Sequence, residues 1–227
     1  KAKGQYAETR ADDLVIKCVR ELLRRHPELP KERVEEVAIA ATTQIGDQGL
    51  TLYPAQEEAV LALAGGAHVV LATPTGSGKS LVAVAADPAP LAHGQRSWYT
   101  APIKALSNQR YHDLVERLGP QQVGLLTGDN NINGDAPVVV MTTEVLRNML
   151  YAGNPLTRLA AVVLDEVHYL QDAYRGPVWE EVIIHLPRPI QLLCLSATVS
   201  NAAELQEWIE TVRGPTGMVV EQRQPVD

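Results

Sequence analysis

Phenylalanine is absent from the 227 residues, and the 4% aromatic share rests on seven tyrosines and three tryptophans, a bias that composition alone does not explain. Cysteine is scarce. Cys18 and Cys194 stand among aliphatic neighbours without CxxC or Cys/His spacing, which excludes a disulfide scaffold and points to buried thiols rather than a zinc site. Long apolar runs are missing too: the longest hold about half a dozen residues, as around 160–164, against the roughly 18 that a membrane-spanning helix needs. No apolar stretch follows Lys1 and Lys3, so no secretory signal is visible and the cytoplasm is the expected compartment. A basic excess is also lacking. With 20 Lys and Arg against 27 Asp and Glu the formal charge is −7, which excludes nucleic-acid binding by bulk electrostatics and requires any such contact to be local. Residues 1–50 hold nine charges of each sign, so the deficit falls in 51–227, with 11 basic and 18 acidic side chains.

What is present, 45% apolar and 21% charged residues, suffices for one large domain or a domain with an appendage. Between 11 and 25, Leu14, Val15, Cys18, Val19, Leu22 and Leu23 recur at three- and four-residue steps, which predicts an amphipathic helix ended by Pro27. Residues 34–41 read as a short strand and 44–49 as a loop, placing a boundary near 50. Beyond it the pattern changes to short aliphatic runs at 68–72, 98–100, 123–126, 138–141, 161–164 and 191–195, the signature of buried strands. Helical stretches at 55–64, 79–86, 105–118, 144–150 and 202–212 separate most of them. This alternation predicts an α/β fold, a parallel sheet covered by helices on both faces, in which ligands gather at the carboxyl ends of the strands.

The first of these strands runs into 73–80, TPTGSGKS, a glycine-rich turn opening a helix. Gly76 and Gly78 allow backbone N–H groups to point inward around a phosphate, Lys79 neutralises β/γ oxygens and Ser80 offers a hydroxyl to Mg²⁺. Thr75, Gly76, Ser77, Gly78, Lys79 and Ser80 are thus the candidate nucleotide contacts, although Thr73 stands where the strict GxxxxGK[ST] pattern has its first glycine. Further on, AVVLDEVH at 161–168 sets two carboxylates at the end of an apolar strand. Asp165 is suited to hold Mg²⁺ through its water shell, Glu166 to polarise an attacking water, and His168 to a coupling role.

Together with APIKALSNQ at 101–109, LLTGD at 125–129, TTEVLRNMLY at 142–151 and LSATVSNAAELQEWI at 195–209, these motifs resemble the first RecA-like lobe of superfamily 2 helicases over about residues 50–223. The DEVH box and the following HYLQDAYRGPVWEEVI are similar to the superkiller and exosome-associated RNA helicases and their actinobacterial counterparts. The resemblance implies a P-loop NTPase lobe that uses ATP and Mg²⁺ on a single-stranded nucleic acid, RNA in this branch. It assigns adenine recognition to Gln56, although Ala55 stands where the family usually has an aromatic residue. Strand contacts fall to Pro102, Lys104, Ala105 and Asn108, to Thr127, Gly128 and Asp129, and to Thr142, Thr143 and Glu144. Hydroxyls, loop amides and helix N-termini suit that task without many cations, which reconciles it with the charge of −7. Ser196 and Thr198, with His168, match the motif that links nucleotide state to strand binding, and Trp179 is expected to pack rather than to stack on a base.

Residues 1–52 depart from this family and instead resemble the beginning of a thiolase, an acetyl-CoA acyltransferase, whose later catalytic segments have no match after residue 52. The expected organisation is therefore an appended or fused segment at 1–50 followed by a helicase ATP-binding domain at 51–227. Family members complete the site with a second RecA-like lobe, for which no motif follows Thr198, so feeble turnover and no unwinding are expected from these residues alone. The alternative is a nonenzymatic module that binds nucleotide or a partner protein.

Overall fold

A computed structural model describes residues 54–73, 82, 94–197 and 201–220. The helices expected at 11–25 and 79–86, the strand at 34–41, the thiolase-like segment, Lys79 and its neighbours in 74–80, and Thr198 lie outside the described residues.

The described chain alternates strand and helix. Helix α1 (Pro54–Ala64) leads into β1 (His68–Ala72), and β2 (Arg96–Ala101) into α2 (Lys104–Leu118). Strands β3 (Val123–Leu126) and β4 (Asn131–Ile132) are followed by β5 (Val138–Thr142) and α3 (Thr143–Tyr151). Strand β6 (Leu159–Leu164) gives way to a 3₁₀ turn (Val167–Gln171) and α4 (Gly176–His185), and then come β7 (Gln191–Ser196), α5 (Ala202–Arg213) and β8 (Thr216–Val220). All eight described strands form one sheet in the order β4-β3-β5-β2-β6-β7-β1-β8, parallel except for the β3–β4 hairpin. The α/β class read from the sequence is the one found.

Alternation within each buried strand divides the core into two layers. Val69 and Leu71 of β1, Leu193 and Leu195 of β7, and Tyr99 of β2 pack with Ala59 and Leu63 of α1 and Leu114 of α2. Their strand neighbours Val70, Leu192, Cys194 and Trp98 face the other way, onto Leu146 of α3, Trp179, Val182 and Ile183 of α4, and Ile209 of α5. Because both faces are covered, the strands read as continuous aliphatic runs. Trp179 is fully buried, so its role is packing, as expected. Cys194 is a buried free thiol whose pKa burial pushes up to about 12.

Besides the two-residue β4 and the 3₁₀ turn, helix α4 and strand β8 were not legible. Helix α4 opens on Gly176-Pro177, a dipeptide that reads as a turn, although proline is well suited to a helix's first turn. Strand β8 is short, contains Gly217 and leaves Met218 and Val220 exposed, so it lacks the apolar run that marks its neighbours. Among the described residues no helix is long and apolar enough to cross a membrane.

Arg213, at the end of α5, is only 6% exposed. Its guanidinium donates from Nη1 to the carbonyls of Ile183 and Leu186 and from Nη2 to those of Pro187 and Ile190. A cation at the negative end of α4 thereby satisfies acceptors left without helical partners. Arg213→Met is expected to destabilise the fold by about 3 kcal/mol, read from a urea unfolding midpoint, with Arg213→Lys losing roughly half as much. His68 supplies a pH-dependent counterpart. Its Nδ1 accepts from the N–H of Leu192, while burial and then the nearby Arg213 hold its pKa below the ordinary 6.5. The unfolded chain therefore takes up that proton more readily, and stability is lost as pH falls below about 6.5. His68→Gln is expected to flatten part of that loss in paired unfolding curves at pH 7 and pH 5.

Candidate functional site

Parallel pairing brings the carboxyl ends of seven strands to one edge of the sheet. The register pairs Ala72 of β1 with Ser196 of β7, Leu164 of β6 with Cys194, Thr100 of β2 with Leu164, and Ala101 with Thr142 of β5. The sequence 73–80 follows β1, the Ser196 motif closes β7 and the DEVH box follows β6, and the ends of these three strands lie side by side. Thr73, the last described residue before the loop, donates its N–H to the carbonyl of Ser196 at 3.1 Å. With strands spaced about 4.8 Å apart, the end of β1 and Asp165 are separated by roughly 10 Å. Gln56 stands in the first turn of α1. That helix runs back along β1 through the tight turn at 65–67, and its eleven residues rise about 16 Å, close to the length of the five-residue strand. Gln56, 4% exposed, thus belongs to the same end of the sheet.

Asp165 is buried and held from several sides. Its N–H donates to the carbonyl of Thr100 at 3.0 Å, and its own carbonyl accepts from Trp179 Nε1 at 3.4 Å. Oδ1 accepts the N–H of Glu166 at 2.9 Å, and Oδ2 accepts the hydroxyl of Tyr99 at 2.5 Å. Arg110 of α2 sets Nη2 3.8 Å from the same Oδ2. Burial, and then the charge of Asp165, drive the Tyr99 pKa well above 10, which keeps the phenol a proton donor. Glu166 turns the chain in the left-handed region, at φ 52° and ψ 45°, so its carboxylate meets a different neighbour. His168 Nδ1 lies 3.1 Å from Glu166 Oε2, yet the two atoms lack the alignment of a hydrogen bond. The imidazole stacks on Tyr169, which stacks in turn on Trp179. The described partner of His168 is therefore Glu166.

The other half of the same edge carries the residues matched to strand contact. Motif 101–109 follows β2, 127–129 follows β3, and 142–144 follows β5, three strands adjacent in the order β3-β5-β2. Helices α2 and α3 both begin here, behind Ile103 and Thr142, and neither end is capped by a side chain. Their first N–H groups remain available to an anion. Lys104 and Asp129 join in an ion pair across the two loops. That contact lowers the Asp129 pKa, first through the hydrogen bond and then through the charge of Lys104. Thr143 is fully buried and donates to the carbonyl of Ala101 at 3.3 Å, while Thr127 Oγ1 accepts the N–H of Asn130 at 3.2 Å. These two hydroxyls shape the loops. Lys104, Ala105, Gly128 and Asp129 are exposed, Asn108, Thr142 and Glu144 are half-buried, and Pro102 is buried.

Tyr99 and Arg110 are the residues that sequence reasoning missed. Tyr99 sits inside an apolar strand run, where an aromatic reads as core, and Arg110 lies on a helix whose spacing does not reveal a partner on β6. The signal was the lone phenol hydroxyl in a strand predicted to be buried, since such a group needs an acceptor.

The DEAD/DEAH box helicase family model matches residues 53–205. The "Probable helicase HelY" of Mycobacterium tuberculosis (strain ATCC 25618 / H37Rv) is 56% identical over 172 residues, covering 75% of this chain and 19% of that protein. Superkiller complex protein 2 of Homo sapiens is 43% identical over 195 residues, 81% of this chain and 16% of that protein. The chain therefore spans under a fifth of the length of these curated relatives. Among solved structures, the DUF1998 helicase MrfA bound to DNA and AMPPNP superposes with a TM-score of 0.68 at 21% identity, over 87% of this chain and 30% of that one. At that identity the likeness concerns the fold.

The DEVH segment also depends on one glycine. A Cβ on Gly176 would collide with the backbone carbonyl of Leu170, which lies in the 3₁₀ turn that carries His168. Gly176→Ala is expected to cost about 2 kcal/mol in urea unfolding, because the atoms the new methyl meets are backbone and cannot swing aside. It is also expected to broaden the NMR signals of the His168 ring by loosening the turn.

Proposed function

The chain belongs to the DEAD/DEAH box helicase family, and from that premise we propose that residues 51–227 form the ATP-binding RecA-like lobe of an ATP-dependent, RNA-directed helicase. The observation that carries this reading is the division of one sheet edge. Segments suited to a nucleotide leave β1, β7 and β6, and segments suited to a strand leave β2, β5 and β3.

On this reading the amides of 75–80 enclose the polyphosphate, Lys79 neutralises its terminal oxygens and Gln56 reads the base. Magnesium fits the donor set. Among the described residues no group of three acidic, His or Cys side chains is able to hold a metal unaided, and Asp165 offers one fixed, buried carboxylate. Mg²⁺ is commonly held in just this way, by one or two carboxylates together with substrate phosphates and waters. Asp165 and Ser80 would hold it, and the ion would neutralise charge on the phosphate oxygens. Glu166 orients the attacking water, and His168 beside it, with Ser196 and Thr198, passes the state of the site onward. The strand lies along Lys104, Ala105 and Asn108, Gly128 and Asp129, and Thr142 and Glu144, with Pro102, Thr127 and Thr143 holding the loops. Its phosphates take the uncapped amides of α2 and α3, which needs little net positive charge. RNA as the strand rests on the likeness of 165–183 to the RNA helicase branch, and the cytoplasm as its place of action is part of the proposal.

Titration of a fluorescent adenine nucleotide with Mg²⁺, with and without single-stranded RNA, tests both halves. We expect saturable binding that falls at least about tenfold in Lys79→Ala and survives in Glu166→Gln, which instead loses hydrolysis. Turnover by the 227-residue stretch alone is expected to be about 10³ to 10⁵ slower than with an arginine reaching the γ-phosphate from a second lobe. Equal nucleotide affinity in the parent and Lys79→Ala would refute the assignment.

A further inference from the structure

Arg110 stands between two carboxylates. Nη2 lies 3.8 Å from Asp165 Oδ2, and Nη1 lies 3.5 Å from Asp113 Oδ2, one turn along α2. The guanidinium rests 5.2 Å above the Tyr99 ring, so it has a platform from which to reach either acid. The contact with Asp165 competes with the role proposed for that residue. A cation beside the carboxylate repels an arriving divalent ion and takes up part of the negative charge that would hold it. The same Oδ2 already accepts the Tyr99 hydroxyl, so the carboxylate keeps its orientation when the guanidinium withdraws.

We propose that Arg110 is a positioning residue that pairs with both Asp165 and Asp113 while the metal site is empty and keeps only Asp113 when magnesium-nucleotide arrives, an exchange biased by a strand at the N-terminus of α2. This rests on the nucleotide and strand sites proposed above. Helix α2 is the physical link. It is a 15-residue helix anchored by Ser107, whose hydroxyl donates to Met141, and its first turn carries Lys104, paired to Asp129 across the loops. A phosphate on that first turn competes with Asp129 for Lys104 and draws on the whole helix, Arg110 included. Asp113 shares the helix and is already the nearer acid, so a displacement of α2 lengthens the 3.8 Å contact with Asp165 and leaves the 3.5 Å contact with Asp113 in place.

The test is a Mg²⁺ titration at a fixed concentration of fluorescent adenine nucleotide, with and without oligouridylate, on the parent chain, R110Q, R110K and D113N. In the parent, RNA is expected to lower the Mg²⁺ midpoint at least about twofold. R110Q is expected to lower the RNA-free midpoint about threefold or more and to abolish the RNA effect, since the competing cation is gone. R110K is expected to keep both parental properties in part. D113N, which removes the alternative acceptor, is expected to raise the midpoint about twofold or more. Near-UV circular dichroism establishes that R110Q is folded; D113N, which leaves the surroundings of Asp165 intact, decides the matter should R110Q fail to fold. A folded R110Q with a parental midpoint and a parental RNA effect overturns the exchange, as does an unchanged D113N. Saturable parental binding without an Arg110 effect defeats this proposal alone, whereas a parent that binds no magnesium-nucleotide defeats the nucleotide site together with it.

Discussion

Strand β7 lies between β1 and β6, and that pairing decides what the rest of the molecule is able to do. Hydrogen bonds from Thr73 to Ser196 and from Asp165 to Thr100 fix, in one continuous lattice, where three loops leave the sheet. Parallel strands make this possible, because each arrives at the same edge and needs a helix to return. The apolar layers above and below make it rigid. The loops at this edge are thus positioned by buried aliphatic side chains such as Val70 and Leu193.

On the proposed reading, the same lattice lets an acidic chain accommodate two anions. The strand contacts proposed above draw little on lysine and arginine and rest instead on amides at the starts of α2 and α3, where partial positive charge is built into the backbone. The buried cation Arg213 follows the converse rule at the far end of α4, where carbonyls rather than carboxylates surround it.

Most of the fold was legible because strands buried on both faces are written as uninterrupted aliphatic runs. Residues 68–72 and 123–126 were placed to the residue, and 191–195 to within one. The candidate site was proposed from motifs, since glycines, adjacent carboxylates and paired threonines have few other uses in that order, and the described ones fall at one edge of the sheet. Helix α4 was hidden by its opening Gly-Pro, and β8 by its half-exposed, glycine-containing sequence. The support of Asp165 was hidden for a different reason. Tyr99 stands 66 residues before it in the chain and reaches it only because β2 and β6 are neighbours, and adjacency of strands is a tertiary fact that periodicity does not carry.

Glu166 occupies a backbone conformation that costs an L-amino acid roughly 1 kcal/mol and costs glycine nothing. Stability alone would therefore favour glycine at this position, whereas the reaction proposed for it requires a carboxylate. Tight folding and chemical competence make opposite demands on this one residue. Screens that select only for thermal resilience should accordingly drift toward glycine here, and the resulting proteins would be sturdier and inert.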